Sequence, residues 1–266
     1  GAEPVEVKGA RVAGFDGQAA CQAGSTVSNK AWACDATLTV PADERFSTPY
    51  YVPRTDSRRY DFDPTVPFGV PARPTPFRVA FDEVASGQTV TPDVPVAYRY
   101  ENSLFVGEKR MELQVVPAFA VAVDPQIAVF PQGASPVPTR AAATPTTREI
   151  RVTVTNGTKG AAQAEAALEV PAGWTVTPAA APVKFVREDE QVTVRFTVSP
   201  SPQAAAGHAT IKARVTSGGS AFGETVQVVE YPHIQRRHVV KPAEVAVRVL
   251  DVQVAPNLTV GYVMGV

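Results

Sequence analysis

Apolar residues recur at every second position over several stretches of this chain, with polar residues filling the positions between them. A strand that buries one face and wets the other must show this period of two. Two such runs lie between Pro171 and Thr216. Val192, Val194, Phe196 and Val198 share one face, and Ala209, Ile211, Ala213 and Val215 share another after the turn at Gly207. Upstream, Ile150, Val152 and Val154 lead to Asn156-Gly157, a pair that tolerates positive φ and so predicts a hairpin. Ala162, Ala164, Ala166, Leu168 and Val170 follow, and Gly218-Gly219 turns the chain into 222–230. About seven strands in such a span is the count of an immunoglobulin-like or fibronectin-like sandwich.

The N-terminal half alternates less evenly. Val5, Val7 and Val12 predict an opening strand, and Leu38 with Val40 predicts another across 33–40. Residues 41–76 are proline-rich and hold no period; proline removes ladder donors, so this stretch reads as a long ordered loop and not a strand pair. Alternation resumes at Phe77, Val79 and Phe81, turns at Ser86-Gly87, and runs through Val94, Val96, Tyr98 and Tyr100. A hairpin at Asn102–Gly107 then leads to Met111, Leu113 and Val115. The expected fold is all-β: two tandem antiparallel β-sandwiches of immunoglobulin/fibronectin type, residues 1–124 and 125–232. A connector at 233–266 ends in the apolar run Leu258–Val266, which reads as the first strand of a truncated following domain.

Composition fits this reading. A chain of 266 residues has room for two cores, and 44% hydrophobic with 19% charged residues is globular. A net charge of −1 gives no long-range attraction to nucleic acid or an anionic membrane surface. No apolar run approaches the roughly 20 residues of a membrane helix. Neither nucleic-acid binding nor membrane insertion is expected. Cys21 and Cys34 are the only cysteines. A cross-strand disulfide and two small buried thiols both suit their spacing, and the disulfide would place the chain in an oxidising, extracytoplasmic compartment.

Candidate chemistry is sparse. His208, His233 and His238 are the only histidines, and the two that lie five apart in the connector make a weak metal signal without further ligands. No nucleophile elbow surrounds a serine or cysteine. No catalytic residue, metal or cofactor is expected. Asp56, Asp61 and Asp63 could offer oxygens to calcium, but Asp56 and Asp61 beside Arg54, Arg58 and Arg59 read more simply as a solvated charge network. Phe46, Tyr50, Tyr51, Tyr60, Phe62 and Phe68 concentrate aromatic rings in the long loop of a chain that is 8% aromatic. Rings stack on sugars and guanidinium groups bond hydroxyls. Tyr50, Tyr51, Arg54, Arg58, Tyr60 and Phe62 are therefore candidates for glycan binding or for docking on a neighbouring domain, with docking or packing favoured. Trp174, after a Pro-x-Gly turn, is expected to cap a sandwich core.

Pro171-Ala172-Gly173-Trp174, the strand at Gln191–Val198 and the Ala206-Gly207 turn resemble the NEW3 domain, an immunoglobulin-like module found beside glycan-active enzymes. In order along the chain, Tyr50-Tyr51, Val96-Ala97-Tyr98-Arg99-Tyr100, Val115-Val116-Pro117-Ala118-Phe119, Tyr231-Pro232-His233-Ile234 and Val260-Gly261-Tyr262-Val263 resemble the accessory region of large bacterial PIG-L (LmbE-like) deacetylases. The resemblance implies non-catalytic spacer modules whose partners are neighbouring domains of a parent chain, with glycan as a further partner. That family's zinc-binding His-Pro-Asp-Asp motif does not occur in the sequence. An independent carbohydrate-binding module, and an adhesion array assembling by strand addition through Leu258–Val266, are the alternatives.

Overall fold

The computed structural model describes residues 5–17, 20–22, 26–27, 31–103, 107–132, 147–201, 204–251, 259 and 261–264. These residues are all strand, turn and coil, with no helix. In chain order the first strands are β1 (Glu6–Ala13), β2 (Ala20–Gln22), β3 (Thr26–Val27), β4 (Ala31–Trp32), β5 (Tyr51–Pro53), β6 (Tyr60–Phe62), β7 (Arg78–Ala85), β8 (Gln88–Val90), β9 (Asp93–Pro95), β10 (Ala97–Ser103) and β11 (Gly107–Glu112). Then come β12 (Phe119–Asp124), β13 (Ile127–Gln132), β14 (Arg148–Asn156), β15 (Ala162–Glu169), β16 (Thr175–Thr177), β17 (Ala180–Phe185), β18 (Gln191–Ser199), β19 (Gly207–Ser217) and β20 (Ser220–Phe222). The last are β21 (Glu224–Val229), β22 (Arg237–Pro242) and β23 (Glu244–Asp251). The chain forms two compact units, each built from two stretches: 1–116 with 227–240, and 117–226 with 241–266.

The second unit is a sandwich. One sheet has the order β12-β14-β18-β16, the other β13-β23-β19-β15-β17 with β20 on β19. Among the described residues the strand pairs of these two sheets are antiparallel except β13 with β23, which run parallel. The two runs singled out in the sequence, β18 and β19, lie in opposite sheets, and their inward faces meet in one core. Val121, Ile150, Val152, Val154, Phe196 and Val198 from one sheet pack with Phe130, Val183, Ile211, Val215, Val245 and Val247 from the other, all at most 1% exposed. Full burial of one such side chain contributes about 1.5–3 kcal/mol. Trp174 is half-buried and meets Phe130 edge-on at 4.8 Å, which makes it the expected cap.

Two boundaries differ from those drawn along the sequence. β12, assigned to the first sandwich, pairs with β14, and Phe119 and Val121 are buried in the second core. β23, assigned to the connector, lies between β13 and β19, and its Val245, Val247 and Val249 fill the same core. Residues 227–240 belong to the first unit. A domain assembled from separated stretches has no single cut point, and alternation along one strand does not name its neighbours. Of the terminal run 258–266, residues 259 and 261–264 are described, and they do not form the expected strand.

Asn156-Gly157 does not turn a hairpin. β14 pairs with β12 and β18, β15 pairs with β17 and β19, so the residues between them cross from one sheet to the other. Asn156 is fully buried. Its Nδ2 donates to the Gly160 and Arg187 carbonyls at 3.0 and 2.9 Å, and its Oδ1 accepts from the Thr158 amide and hydroxyl at 3.0 and 2.6 Å. The side chain thus satisfies the backbone of a crossover, the other use of asparagine at turns. Gly157 is needed for close approach: a Cβ there would stand 3.1 Å from the Ala118 carbonyl oxygen, which accepts the Gly157 amide at 2.8 Å.

The first unit is built differently. β7 carries β1 on one side, with β8 and β9 in succession along the other, and β2 extends the sheet beyond β1. Ser86 and Gly87, with φ of 50° and 75°, form the predicted two-residue turn into β8. β10 and β11 form the predicted hairpin, and β21 pairs with β22. At Gly14, with φ of 86°, an added Cβ would lie 2.4 Å from the Pro76 carbonyl oxygen; this approach sets Phe15 against buried Phe77 at 4.4 Å. The expected strand at 33–40 is absent apart from a single bridge between Thr39 and Asp16. Leu38 and Val40 alone were too short a pattern to sustain a ladder.

Candidate functional site

The proline-rich stretch holds a strand pair after all. β5 and β6 form a ribbon in the register Tyr51↔Phe62, Val52↔Asp61 and Pro53↔Tyr60, closed by the Arg54 amide on the Arg59 carbonyl at 2.9 Å. With three residues per strand no period can show. Ring contacts across the ribbon replace it: Tyr51 meets Tyr60 at 5.5 Å and 88°, Tyr51 meets Phe62 at 6.2 Å, and Phe62 meets Phe68 at 5.2 Å and 76°. Edge-to-face pairs of this kind contribute about 0.5–1.5 kcal/mol beyond burial.

Tyr50 anchors the ribbon. It is 6% exposed, its hydroxyl donates to the Val70 carbonyl at 2.8 Å, and its own carbonyl accepts the Asp63 amide at 2.7 Å. Tyr50 is therefore a packing residue and is not available to a ligand. Arg54 pairs with Asp56 at 3.2 Å and Asp61 at 3.7 Å, which occupies it on the exposed turn that also carries Arg58. Tyr60 and Phe62 remain partly exposed. Asp63 stands apart from this network: it accepts from the Thr65 hydroxyl and amide and from Arg73 Nη2 at 2.8 Å. Those bonds, that of the Thr65 hydroxyl foremost, hold its carboxyl far below the usual carboxylate range.

Beside the ribbon, wholly within the first unit, lies a cleft of about 580 Å³. Of the six predicted side chains only Tyr51 lines it. Four segments converge there: 44–51, 65–76, 112–114 and 229–239. Pro49, Pro67, Pro71, Pro74 and Pro76 stiffen its walls. Arg45, Arg73 and Arg237 reach it, and each has a carboxylate partner: Arg73 on Asp63, Arg45 at 3.7 Å from the same group, and Arg237 Nη1 on Glu112 at 3.1 Å.

Gln114 fixes the opposite wall. Its Oε1 accepts the His238 backbone amide at 2.8 Å and lies 3.1 Å from His238 Nδ1, while its Nε2 donates to the Arg236 carbonyl at 3.1 Å. Burial, and secondarily the nearby Arg236 charge, lowers the His238 pKa from 6.5, which favours the neutral ring. Arg236 is itself held by Glu230 at 2.7 Å and lies 4.5 Å from the Tyr100 ring centroid. Sequence reading missed Arg45, Arg73, Glu112, Gln114, Arg237 and His238 as a group because they are spread over nearly two hundred positions with no local motif. His233 contacts Tyr231 at 6.0 Å. His208 is exposed at the start of β19.

Cys34 is disulfide-bonded, and the described residues include no free cysteine. The backbone of Cys21 lies in β2 opposite Ala10, while its side chain, like that of Trp32, lies outside the described residues. No group of three His, Cys, Asp or Glu able to hold a metal ion occurs among the described residues.

Residues 143–218 match the sequence family described as the NPCBM-associated, NEW3 domain of alpha-galactosidase. The match covers β14–β19, including the Pro171–Trp174 turn and the Gln191–Val198 strand on which the NEW3 resemblance rests. It does not extend to the cleft. No curated protein matches the chain.

Proposed function

We propose that this chain is the non-catalytic accessory region of a multidomain bacterial enzyme acting on N-acetylated sugars, a PIG-L-like deacetylase. The NEW3 match over β14–β19 carries the reading, because that domain is an accessory module associated with carbohydrate-active enzymes. The ordered motifs from Tyr50-Tyr51 to Val260-Gly261-Tyr262-Val263 support the choice of parent. The second unit suits a spacer: its core is closed on both sheets and rigidly packed, so it would hold flanking chain at a set separation.

The family description names an alpha-galactosidase, which favours a glycoside-hydrolase parent as the second reading. Acetate release from chitohexaose by this chain alone tests the non-catalytic role, and none is expected; sustained release would overturn it. A His-Pro-Asp-Asp motif in the reading frame upstream of Gly1 is the expected mark of the deacetylase parent. Its absence would remove that parent and leave the accessory role in place.

A further inference from the structure

We infer that the cleft of the first unit is a binding site for a neutral saccharide, with Tyr51 as the stacking platform and the arginine–carboxylate pairs of its walls as the groups that read ring hydroxyls. The choice of a sugar as ligand class rests on the accessory reading above; the choice of a neutral one rests on the cleft itself. At about 580 Å³ it falls within the roughly 300–1,000 Å³ of small-ligand sites, and it combines an aromatic ring with convergent polar side chains.

Charge decides against an acidic ligand. Arg73 and Arg237 are committed to Asp63 and Glu112, Arg45 has Asp63 nearby, and Glu44 adds a further carboxylate to the lining. An incoming carboxylate or sulfate would meet Glu44 and Glu112 in the lining and arginines that each already face a carboxylate. A guanidinium has five N–H donors and a carboxylate about four acceptor sites, so the Arg237–Glu112 pair keeps donors and acceptors side by side, while Arg73 keeps spare donors beside an Asp63 already bonded by Thr65. That arrangement complements neighbouring hydroxyls, each of which both donates and accepts. His238, favoured as neutral, and Gln114 add no charge. An extended peptide is disfavoured because strand addition needs a row of free backbone N–H groups, and the prolines at 49, 67, 71, 74 and 76 remove them from the walls.

The test uses the full chain and titrates chitohexaose, cellohexaose, mannohexaose and oligogalacturonate by calorimetry. At least one neutral hexaose is expected to bind and oligogalacturonate to bind more weakly than it. Tyr51→Ala should weaken the neutral ligand about tenfold or more, and Tyr51→Phe should retain it. Phe68→Ala should leave it unchanged, since Phe68 is 83% exposed, meets Phe62 edge-on and does not line the cleft. If Tyr51→Ala does not fold, amide shifts in the unaltered protein decide: movement at Arg45, Gln114 and His238 supports the site, and movement confined elsewhere overturns it. No binding of any neutral hexaose at about 10 mM, preference for oligogalacturonate, or equal affinity in a folded Tyr51→Ala variant would each overturn it as well. None of those results touches the accessory role, which the acetate assay and the upstream motif decide.

Discussion

Replacing Asn156 by alanine should unfasten the crossover between the two sheets of the second unit. The substitution deletes four hydrogen bonds, to the Gly160 and Arg187 carbonyls and from the Thr158 amide and hydroxyl. Gly160 and Arg187 are exposed, so water can reach their carbonyls, whereas Thr158 is half-buried. With about 0.5–1 kcal/mol for each bond whose partner recovers water and somewhat more for the Thr158 amide, the loss comes to about 2–4 kcal/mol. Asn156→Asp keeps the acceptor for Thr158 but sets a carboxylate against two carbonyls, and it should lose at least as much. The assay is native-state hydrogen exchange of the Val152 and Val154 amides at rising urea, which reads the opening free energy of β14 directly. A change below about 0.5 kcal/mol for Asn156→Ala, the scale of an ordinary surface substitution, would refute the assignment of this side chain to the crossover.

In the first unit, Gly14→Ala meets the Pro76 carbonyl at 2.4 Å, whereas Gly17→Ala at nearly the same φ meets open space, so thermal unfolding should show Gly14→Ala the more destabilised by about 1–3 kcal/mol; equal shifts would contradict the close approach. Tyr50→Phe removes one half-buried hydroxyl bond to Val70 and should lower stability by about 0.5–1.5 kcal/mol without altering saccharide affinity, as read by unfolding and calorimetry. His238 has its folded pKa below the 6.5 of the free side chain. The unfolded chain therefore binds more protons between that lowered value and 6.5. Stability rises with pH across this window and is lost as pH falls through it. An NMR titration of the ring should give a midpoint below 6.5, and one above 6.5 would contradict the burial assigned to it.

The strands of the second unit were legible because each carries enough residues to display its period. β18 and β19 span nine and eleven residues, and on their inward faces Phe196, Val198, Ile211, Ala213 and Val215 are buried, with Val192 and Val194 half-buried beside them. Ser86-Gly87 was legible too, since both residues must take positive φ and the flanking runs alternate. β5 and β6 were not, because three residues with proline at one end leave no pattern and the ring contacts that hold them cross the ribbon. The same limit moved the candidate site. Aromatic concentration pointed to the stretch beside the cleft, yet Tyr50 is an anchor, Arg54 is consumed by its neighbours, and of the six candidate side chains only Tyr51 lines the cleft.

The sequence by itself determined the class of fold, the inward faces of β14, β18 and β19, the cap at Trp174 and the likeness of residues 143–218 to the NEW3 domain. All of these follow from interactions between residues a few positions apart, or from a pattern contained in one stretch. Only the tertiary structure decided that Asn156 serves a crossover, that β12 and β23 complete the second core, and that 44–51, 65–76, 112–114 and 229–239 enclose one cleft. Period two fixes which side of a strand is apolar but is silent on which strand lies beside it. Partner choice depends on how faces from distant segments pack, and here that packing creates the cleft.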